Sequence, residues 1–431
     1  MLDITYIREH TERVKKSILA KNKAVDIDRL LNLDVERRSL TQAIEALRQE
    51  RNTLSTQLNG GKPETATIER GQQLKSELAE LETRYDEVIR EYDILLESVP
   101  NVMAESVPLG ADESGNQVLR QWGEVPEFDF PVRDHVELGE TLELIDIERA
   151  VKVSGARFNY LKGDLARLQF ALVQFVFNIV SDEDLIAKLV ADGQLNISTK
   201  AFVPVVPPML VRPETMQRMA RLEPKEDRFL TTDEEFVLVG SAEHSLGAMH
   251  MDEIIEASDL PLRYIAFSGS FRREAGSYGK DTRGILRQHQ FDKLEMEAFS
   301  TTETGEGEHR LMVALQEHIM QQLELPYQVV AICSGDMGGP DYLQTDIETW
   351  LPGQQLYRET HTADYMTDYQ SRRLKTRYKQ AGETHYVHMN DATGLAIGRT
   401  LIAIIENYQT RAGTIRIPRV LQALMGKEEI V

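Results

Sequence analysis

The first hundred residues carry the most regular pattern of apolar positions in the chain. Leu40, Ile44, Leu47, Leu54 and Leu58 fall on alternating steps of four and three, with Arg51 filling the one polar gap. Leu74, Leu78, Leu81, Tyr85, Val88, Tyr92 and Leu95 follow the same rhythm without a break. Such spacing places apolar side chains on one narrow stripe of a long helix. The intervening Asn59-Gly60-Gly61-Lys62-Pro63 cannot continue a helix. The pattern therefore predicts two long helices folded into an antiparallel hairpin, each covering the other's stripe. Leu33 to Leu58 alone would reach roughly 39 Å at 1.5 Å per residue. Two roles suit such a hairpin: a spacer between proteins, or an arm that reaches a distant part of a large ligand. Arg37, Arg38, Arg48, Lys75, Arg84 and Arg90 could meet phosphates, or pair with neighbouring glutamates on a solvated face.

Pro100 ends the second helix, and Gly110 to Gly115 reads as a linker. This divides the chain into residues 1–112 and 113–431. In the second part the periodicity is mixed. A helical segment, Leu165 to Val180, stands among β-rich runs at Phe202–Val206, Phe236–Val239, Tyr264–Phe267, Lys293–Phe299, Gln328–Ile332 and Asp346–Trp350. Many of these runs follow one another through turns rather than regular helices. That favours an α+β fold with a mostly antiparallel sheet flanked by helices.

Composition narrows the choices. Of 431 residues, 41% are hydrophobic and 28% charged, and the formal net charge is -21. A nucleic-acid binder more often shows a basic surface, but an RNA contact needs only a local one. The single cysteine, Cys333, excludes an intrachain disulfide and a cysteine-rich zinc site. Its apolar neighbours Val329 to Ile332 read as a buried strand. Met1-Leu2-Asp3 opens no signal peptide. The apolar run Leu168–Val180 is interrupted by Gln169, Gln174 and Asn178 and is shorter than the roughly 20 residues of a bilayer span. A reduced, cytoplasmic protein with no membrane partner is the expectation.

Neither Gly-rich signature of the common nucleotide folds occurs in a strand-to-helix setting. The informative stretch is Phe271-Arg272-Arg273-Glu274-Ala275-Gly276, then Asp281-Thr282-Arg283-Gly284-Ile285-Leu286-Arg287-Gln288-His289-Gln290-Phe291, then Leu294-Glu295-Met296-Glu297. It reads as strand, polar loop, strand. Arginines at both ends could grip one phosphate chain from two sides, with Phe291 stacked on a base, or they could form ordinary surface ion pairs. A second stretch, Asp391 to Gly398, leads with small residues into an apolar helix that carries Arg399 at its start. An arginine on a buried helix needs an anion, either a ligand or a carboxylate of the protein.

These two stretches resemble motifs 2 and 3 of class II aminoacyl-tRNA synthetases, and Phe202 to Pro208 resembles motif 1, with Pro208 as its proline. Within the class the chain is similar to the seryl-tRNA synthetase family, through Phe271–Gly276, Ser241-Ala242-Glu243, the coiled-coil hairpin and the ending Ile417-Pro418-Arg419-Val420-Leu421. The resemblance implies activation of L-serine with ATP and Mg2+ and transfer to tRNA(Ser) by a homodimer. Residues 1–112 would then be the tRNA-binding arm and 113–431 the catalytic domain. A paralogue activating a small amino acid for a carrier protein or a biosynthetic pathway is the alternative.

The resemblance also implies roles. Arg272 and Arg399 would be catalytic. Ser241, Ala242, Glu243, Arg272, Glu295, Asp391 and Thr393 would hold serine. Arg272, Arg273, Glu274, Arg287, Gln288, Phe291, Glu359, Thr360, His361, Thr362 and Arg399 would hold ATP, and Glu359 and Thr362 the metal. Some positions depart from the family. Arg273 replaces a serine, Ser241 a threonine and Asp391 an asparagine, and the usual Glu-Ile-Ser-Ser-Cys-Ser-Asn is Glu359-Thr360-His361-Thr362-Ala363-Asp364-Tyr365. Asp364 and Asp391 could add negative charge near the substrate's amino group, or be offset by arginines. His361, His385 and His388 lack a compact metal-ligand spacing and read as structural or surface residues.

Overall fold

The computed structural model describes residues 1–57, 65–233, 235–275 and 283–431. Leu58, the Asn59–Pro63 turn, and Gly276, Asp281 and Thr282 lie outside the described residues. The chain forms two compact units, Met1–Val102 and Met103–Val431.

In the first unit, two short helices precede the long helices Ile27–Gln57 and Thr65–Ser98. The longer of these, at 34 residues, extends about 51 Å. They run antiparallel, as a ladder of ion pairs shows: Arg29 with Glu91, Glu36 with Arg84, Arg48 with Glu82, and Glu50 with Arg70. Ile44, Leu74, Leu78, Val88 and Tyr92 are buried on the expected stripe, while Leu40, Leu47, Leu54, Leu81, Tyr85 and Leu95 are half-buried at its rim. The exposed ion pairs contribute little each, because solvent screens them and holding two long side chains in one geometry costs entropy. The apolar stripe holds the hairpin together. Most of the arginines singled out from the sequence turn out to be paired. Arg37 and Arg38 grip the buried Asp34, and Arg48 and Arg84 meet glutamates. Among the described residues, Arg51, Lys75 and Arg90 are exposed and have no carboxylate partner.

The second unit begins earlier than the sequence boundary at 112. Ala104 and Val107 pack with Val330, Ile332 and Met337, and the Ala104 N–H donates to the Tyr342 carbonyl. The expected linker Gly110–Gly115 is likewise packed. A Cβ on Gly110 would come within 2.8 Å of Cys333 Sγ, so only glycine allows this approach. Cys333 is buried there and donates to the Asp112 carbonyl.

The centre of this unit is an eight-stranded sheet. Its strands are β1 (Gln117–Trp122), β2 (Val203–Val205), β3 (Leu262–Phe271), β4 (Gln290–Ser300), β5 (Tyr327–Ala331), β6 (Leu343–Leu351), β7 (Leu356–Thr367) and β8 (His388–Ala396). Their order is β1-β5-β6-β7-β8-β4-β3-β2, antiparallel throughout except for the edge pair β2 and β3. The run Phe236–Val239 yields only the short strand Val237–Leu238, which pairs with Leu210–Val211 in a separate small sheet. The stretch before Arg399 is a full strand, β8, and the helix begins at Ile397.

The pleat decides what faces where. Leu294, Met296 and Ala298 of β4, Ile347 of β6, Ala363 of β7 and Ala392 of β8 enter the main core. The helices Gly163–Val180, Gly305–Gln322 and Ile397–Asn407 supply Leu168, Leu172, Val176, Leu311, Leu315, Leu401 and Ile405 to that core. Alternate strand positions must then point to the other side of the sheet. Gly163–Val180 is the one described helix as long and apolar as a short membrane span, and its Leu165, Leu168, Leu172 and Val176 lie inside the core.

Candidate active site

On the face opposite the helices lies a cavity of about 210 Å³. Its walls include Glu243, Arg272, Glu274, Arg287, Gln288, Phe291, Glu359, Thr360, Thr362, Thr393 and Arg399, all expected from the sequence. It adjoins a second space of about 500 Å³ that shares Arg287, Glu359 and Arg399 and adds Asp336, Asp346, Glu348 and Arg358.

Three arginines arrive from different elements. Arg272 follows the end of β3. Its Nε donates to the Gly240 carbonyl at 3.0 Å, and its guanidinium lies 5.3 Å from the centre of the Phe291 ring. Arg287 pairs with Glu274 at 2.7 Å. Arg399, in the first turn of the helix Ile397–Asn407, meets the Glu359 carboxylate at 3.1 Å and donates to its carbonyl at 2.6 Å. Of the two partners open to Arg399, ligand or carboxylate, the structure therefore shows the carboxylate. On β7, Thr362 Oγ1 donates to Asp346 Oδ1 at 2.5 Å and accepts from Gln344 at 3.1 Å. Burial and the charge of Glu359 hold the Asp346 carboxyl well above the usual range.

The other end of the cavity is acidic. Ser241 Oγ donates to Glu295 Oε2 at 2.7 Å, and Lys293 Nζ meets the same oxygen at 2.5 Å. Arg221 Nε stands 3.1 Å from Glu243, and its Nη2 stands 3.3 Å from Asp391 and 4.0 Å from Asp341 and Asp364. Burial opposes the charge of Glu243, yet Arg221 and His244 hold its pKa well below the ordinary value. Burial, followed by the like charge of neighbouring carboxylates, pushes Glu297, Asp364 and Asp391 well above it.

Some expected residues stand back from the cavity. Ser241, Ala242, Glu295 and Asp391 are buried behind its wall. Arg273 lies over the Phe229 ring instead. His361 faces Ile347 across the ladder and so shares the core side of the sheet. Its ring contacts Thr360 Oγ1 at 2.9 Å, and burial beside Lys293 lowers its pKa to about 3, which keeps it neutral. His388 contacts the Tyr365 hydroxyl, and His385 is part-exposed. The sequence reading missed Arg221, Lys293, Asp341 and Asp346. The two-residue alternation Lys293-Glu295-Glu297 was a legible sign of a charged strand face. Arg221 and Asp341 arrive from loops far away in sequence and carried no such sign.

Arginines set against carboxylates on the open face of an antiparallel sheet, with a buried motif-bearing helix behind, define a class II aminoacyl-tRNA synthetase. Residues 227–408 match the tRNA synthetase class II core domain (G, H, P, S and T), and residues 1–103 match the seryl-tRNA synthetase N-terminal domain. Over its full length the chain is 36% identical to the serine–tRNA ligase of Nitrosopumilus maritimus, covering 100% of both proteins. It is similar to the crystal structure of the Pyrococcus horikoshii seryl-tRNA synthetase complexed with ATP, with a TM-score of 0.89 and 35% identity over 100% of this chain and 99% of that one. The cytoplasmic serine–tRNA ligase of Naegleria fowleri, in complex with AMP, gives a TM-score of 0.85 and 27% identity over 100% and 98%. The chain belongs to the seryl-tRNA synthetase family.

Glu297 makes a stability prediction. Its carboxyl titrates above 4.5 in the folded chain, so the folded state holds a proton that the unfolded state has released. The stability linked to that proton is full below the ordinary glutamate value and is lost as pH rises through the raised one. Glu297→Gln removes that loss. In urea denaturation the variant should gain on the wild type from acidic to alkaline pH, the two converging at the acid end. A constant difference across pH would show that Glu297 titrates alike in the folded and unfolded chain.

Proposed function

We propose that the cavity binds ATP and serine together and forms seryl-adenylate. A carboxylate oxygen of serine attacks the α-phosphorus, the bond to the bridging oxygen breaks, and pyrophosphate leaves with the electron pair. In the second step a terminal ribose hydroxyl of tRNA attacks the activated carbonyl, and AMP leaves. The observation that carries this reading is the convergence of Arg272, Arg287 and Arg399 with Glu243 and Thr393 around one cavity. Negative charge builds on phosphate oxygens during the first step, and fixed guanidinium groups stabilise it without reorganising.

In this reading Arg272 holds the α-phosphate and the serine carboxylate, and Glu274 and Phe291 hold adenine. Arg287 and Arg399 take the outer phosphates. Glu243 receives the serine ammonium, and Thr393 offers its hydroxyl. Glu295, oriented by Ser241 and Lys293, adds its field from behind. Glu359 and Thr362 would hold Mg2+, with Asp346 beside them. Hard oxygen donors suit that ion, and burial together with the like charge of Glu359, which raise the Asp346 pKa, are both effects that a cation would offset. Bound there, Mg2+ supplies charge neutralisation to the phosphates. The two similar structures, in complex with ATP and with AMP, support the nucleotide part of this reading.

Arg399→Ala should lower serine-dependent ATP–pyrophosphate exchange on the order of 10² to 10³-fold while circular dichroism and thermal melting stay near wild type. Near-normal exchange would remove Arg399 from the mechanism.

The same reading makes the protein a cytoplasmic homodimer. Val203, Val206, Met209 and Leu210, at and after the sheet-edge strand β2, are exposed, Val206 at 96%. Apolar side chains along a sheet edge are suited to a second copy. Analytical ultracentrifugation should give a dimer at micromolar concentration, and a monomer there would contradict the proposal.

The helical hairpin is read as the tRNA arm, with Arg51, Lys75 and Arg90 as its free cations toward phosphates. Duplex RNA is met mainly through shape and backbone. Deleting Leu33 to Leu95 with the ends bridged should spare serine activation and largely eliminate tRNA charging. In the intact protein, charging should weaken with added salt more steeply than activation does. Efficient charging by the truncated protein would make the hairpin a spacer.

A further inference from the structure

The acidic end of the cavity holds more negative charge than one serine can answer. Asp364 on β7 stands opposite Asp391 on β8, and Asp391 opposite Glu297 on β4, so three carboxylates lie side by side across three strands. Glu243, Glu295 and Asp341 face the same volume. The cations that face it are Arg221 and Lys293. Like charges directly opposite on a sheet destabilise it, and a buried carboxylate is costly unless it is paired.

Hydrogen bonding points the same way. Both oxygens of Glu297, Oδ1 of Asp364, Oδ1 of Asp391 and Oε1 of Glu295 are buried with no hydrogen-bond partner among the described residues. Glu297 is fully buried, and its nearest charges are Asp391, Glu243, Glu295 and Arg221. These are acceptors arranged around a place for donors.

A metal ion is a poor occupant. Glu243, Glu295 and Asp391 do bring carboxylate oxygens within 4.8 Å of one another. The Arg221 guanidinium, however, already contacts two of these three residues, at 3.1 Å and 3.3 Å. A metal bound to all three would have to displace that guanidinium, whereas an ammonium at the partnerless Asp364 Oδ1 would not, since Arg221 stands at the other oxygen, Oδ2. The accessible space is instead the part of the cavity lined by Glu243, Asp364 and Thr393. In the binding mode proposed above, with the substrate carboxylate at Arg272, the side chain would enter that part.

We propose that the site also activates a short amino acid bearing a second ammonium group, of the α,β-diamino acid class, with Glu243 keeping the α-ammonium and Asp364 receiving the side-chain ammonium. The proposal rests on the synthetase reading above. The chemistry matches that of serine: a carboxylate oxygen bonds to the α-phosphorus of ATP, the bridging bond breaks, and pyrophosphate takes the electron pair. A hydroxyl brings one donor, whereas an ammonium brings three and a full charge. Asp391 and Glu297 sit behind Asp364 and add to its field. Arg221 and Lys293 offset part of that field, but they are two cations facing the six carboxylates Glu243, Glu295, Glu297, Asp341, Asp364 and Asp391.

The test is ATP–pyrophosphate exchange by the full-length protein with serine, 2,3-diaminopropionate and alanine. The diamino acid should support exchange with kcat/KM about tenfold or more above that of alanine. Asp364→Asn should lower the ratio of diamino acid to serine by about tenfold or more, since a site built for a donor discriminates strongly. Glu297→Gln, which lies behind the cavity wall, should lower the ratio in the same direction and provides a reading should Asp364→Asn misfold. Diamino acid exchange no better than alanine's, alongside robust serine exchange, overturns the proposal. Ratios unchanged in both variants overturn the part given to the carboxylates. Exchange with no amino acid at all overturns instead the synthetase reading beneath it.

Discussion

A β-strand can commit only every second side chain to one side of its sheet, and the site in this protein follows from that restriction. Leu294, Met296 and Ala298 are held against the helices. Phe291, Lys293, Glu295 and Glu297 of the same strand are thereby committed to the other face. Ala363 and Ala392 do the same for their strands, placing Thr362, Asp364, Asp391 and Thr393 beside that row. The apolar packing thus fixes the spacing of the charged groups without touching any of them. The Gln316 side chain ties the two layers together by donating from the helix Gly305–Gln322 to the carbonyls of Thr362 and Thr393.

The price of this arrangement is electrostatic. Carboxylates gathered on one dry face repel each other, and the fold answers with Arg221 and Lys293, which are fewer than the acids they face. The two ends of the cavity resolve the imbalance differently. At the arginine-rich end, Arg399 and Arg287 are paired with Glu359 and Glu274, and an anionic ligand would compete with those carboxylates for them. At the acidic end, Asp364, Asp391 and Glu297 are driven toward their protonated forms. Anions are therefore suited to one end of the cavity and cations to the other, which is the polarity needed to lay an amino acid against a nucleotide.

The helical hairpin follows separate rules. Its stripe is closed by its own partner helix, and its charges mostly answer one another across the pair. Nothing in its internal packing calls for the catalytic body, which is why it forms a compact unit by itself. Pairing with carboxylates engages most of the hairpin's arginines: Arg29, Arg48, Arg70 and Arg84 with glutamates, and Arg37 and Arg38 with Asp34.

The sequence by itself determined the hairpin, the α+β class, the antiparallel sheet and most of the cavity's lining. These are local properties: a periodicity of helix or strand, or a motif whose residues share one turn or one strand. It left open whether Asp364 and Asp391 add charge near a substrate or are offset by arginines. The tertiary structure alone decided that Arg221 and Asp341 join them, that Asp346 sits beside Thr362, and that His361 turns toward the core while Thr360 lines the cavity. It also decided that Gly110–Gly115 is packed against Cys333 rather than free. Each of these outcomes depends on which strands become neighbours and which face of each is buried. Those choices are made by contacts between residues tens to hundreds of positions apart, and no window along the chain contains them.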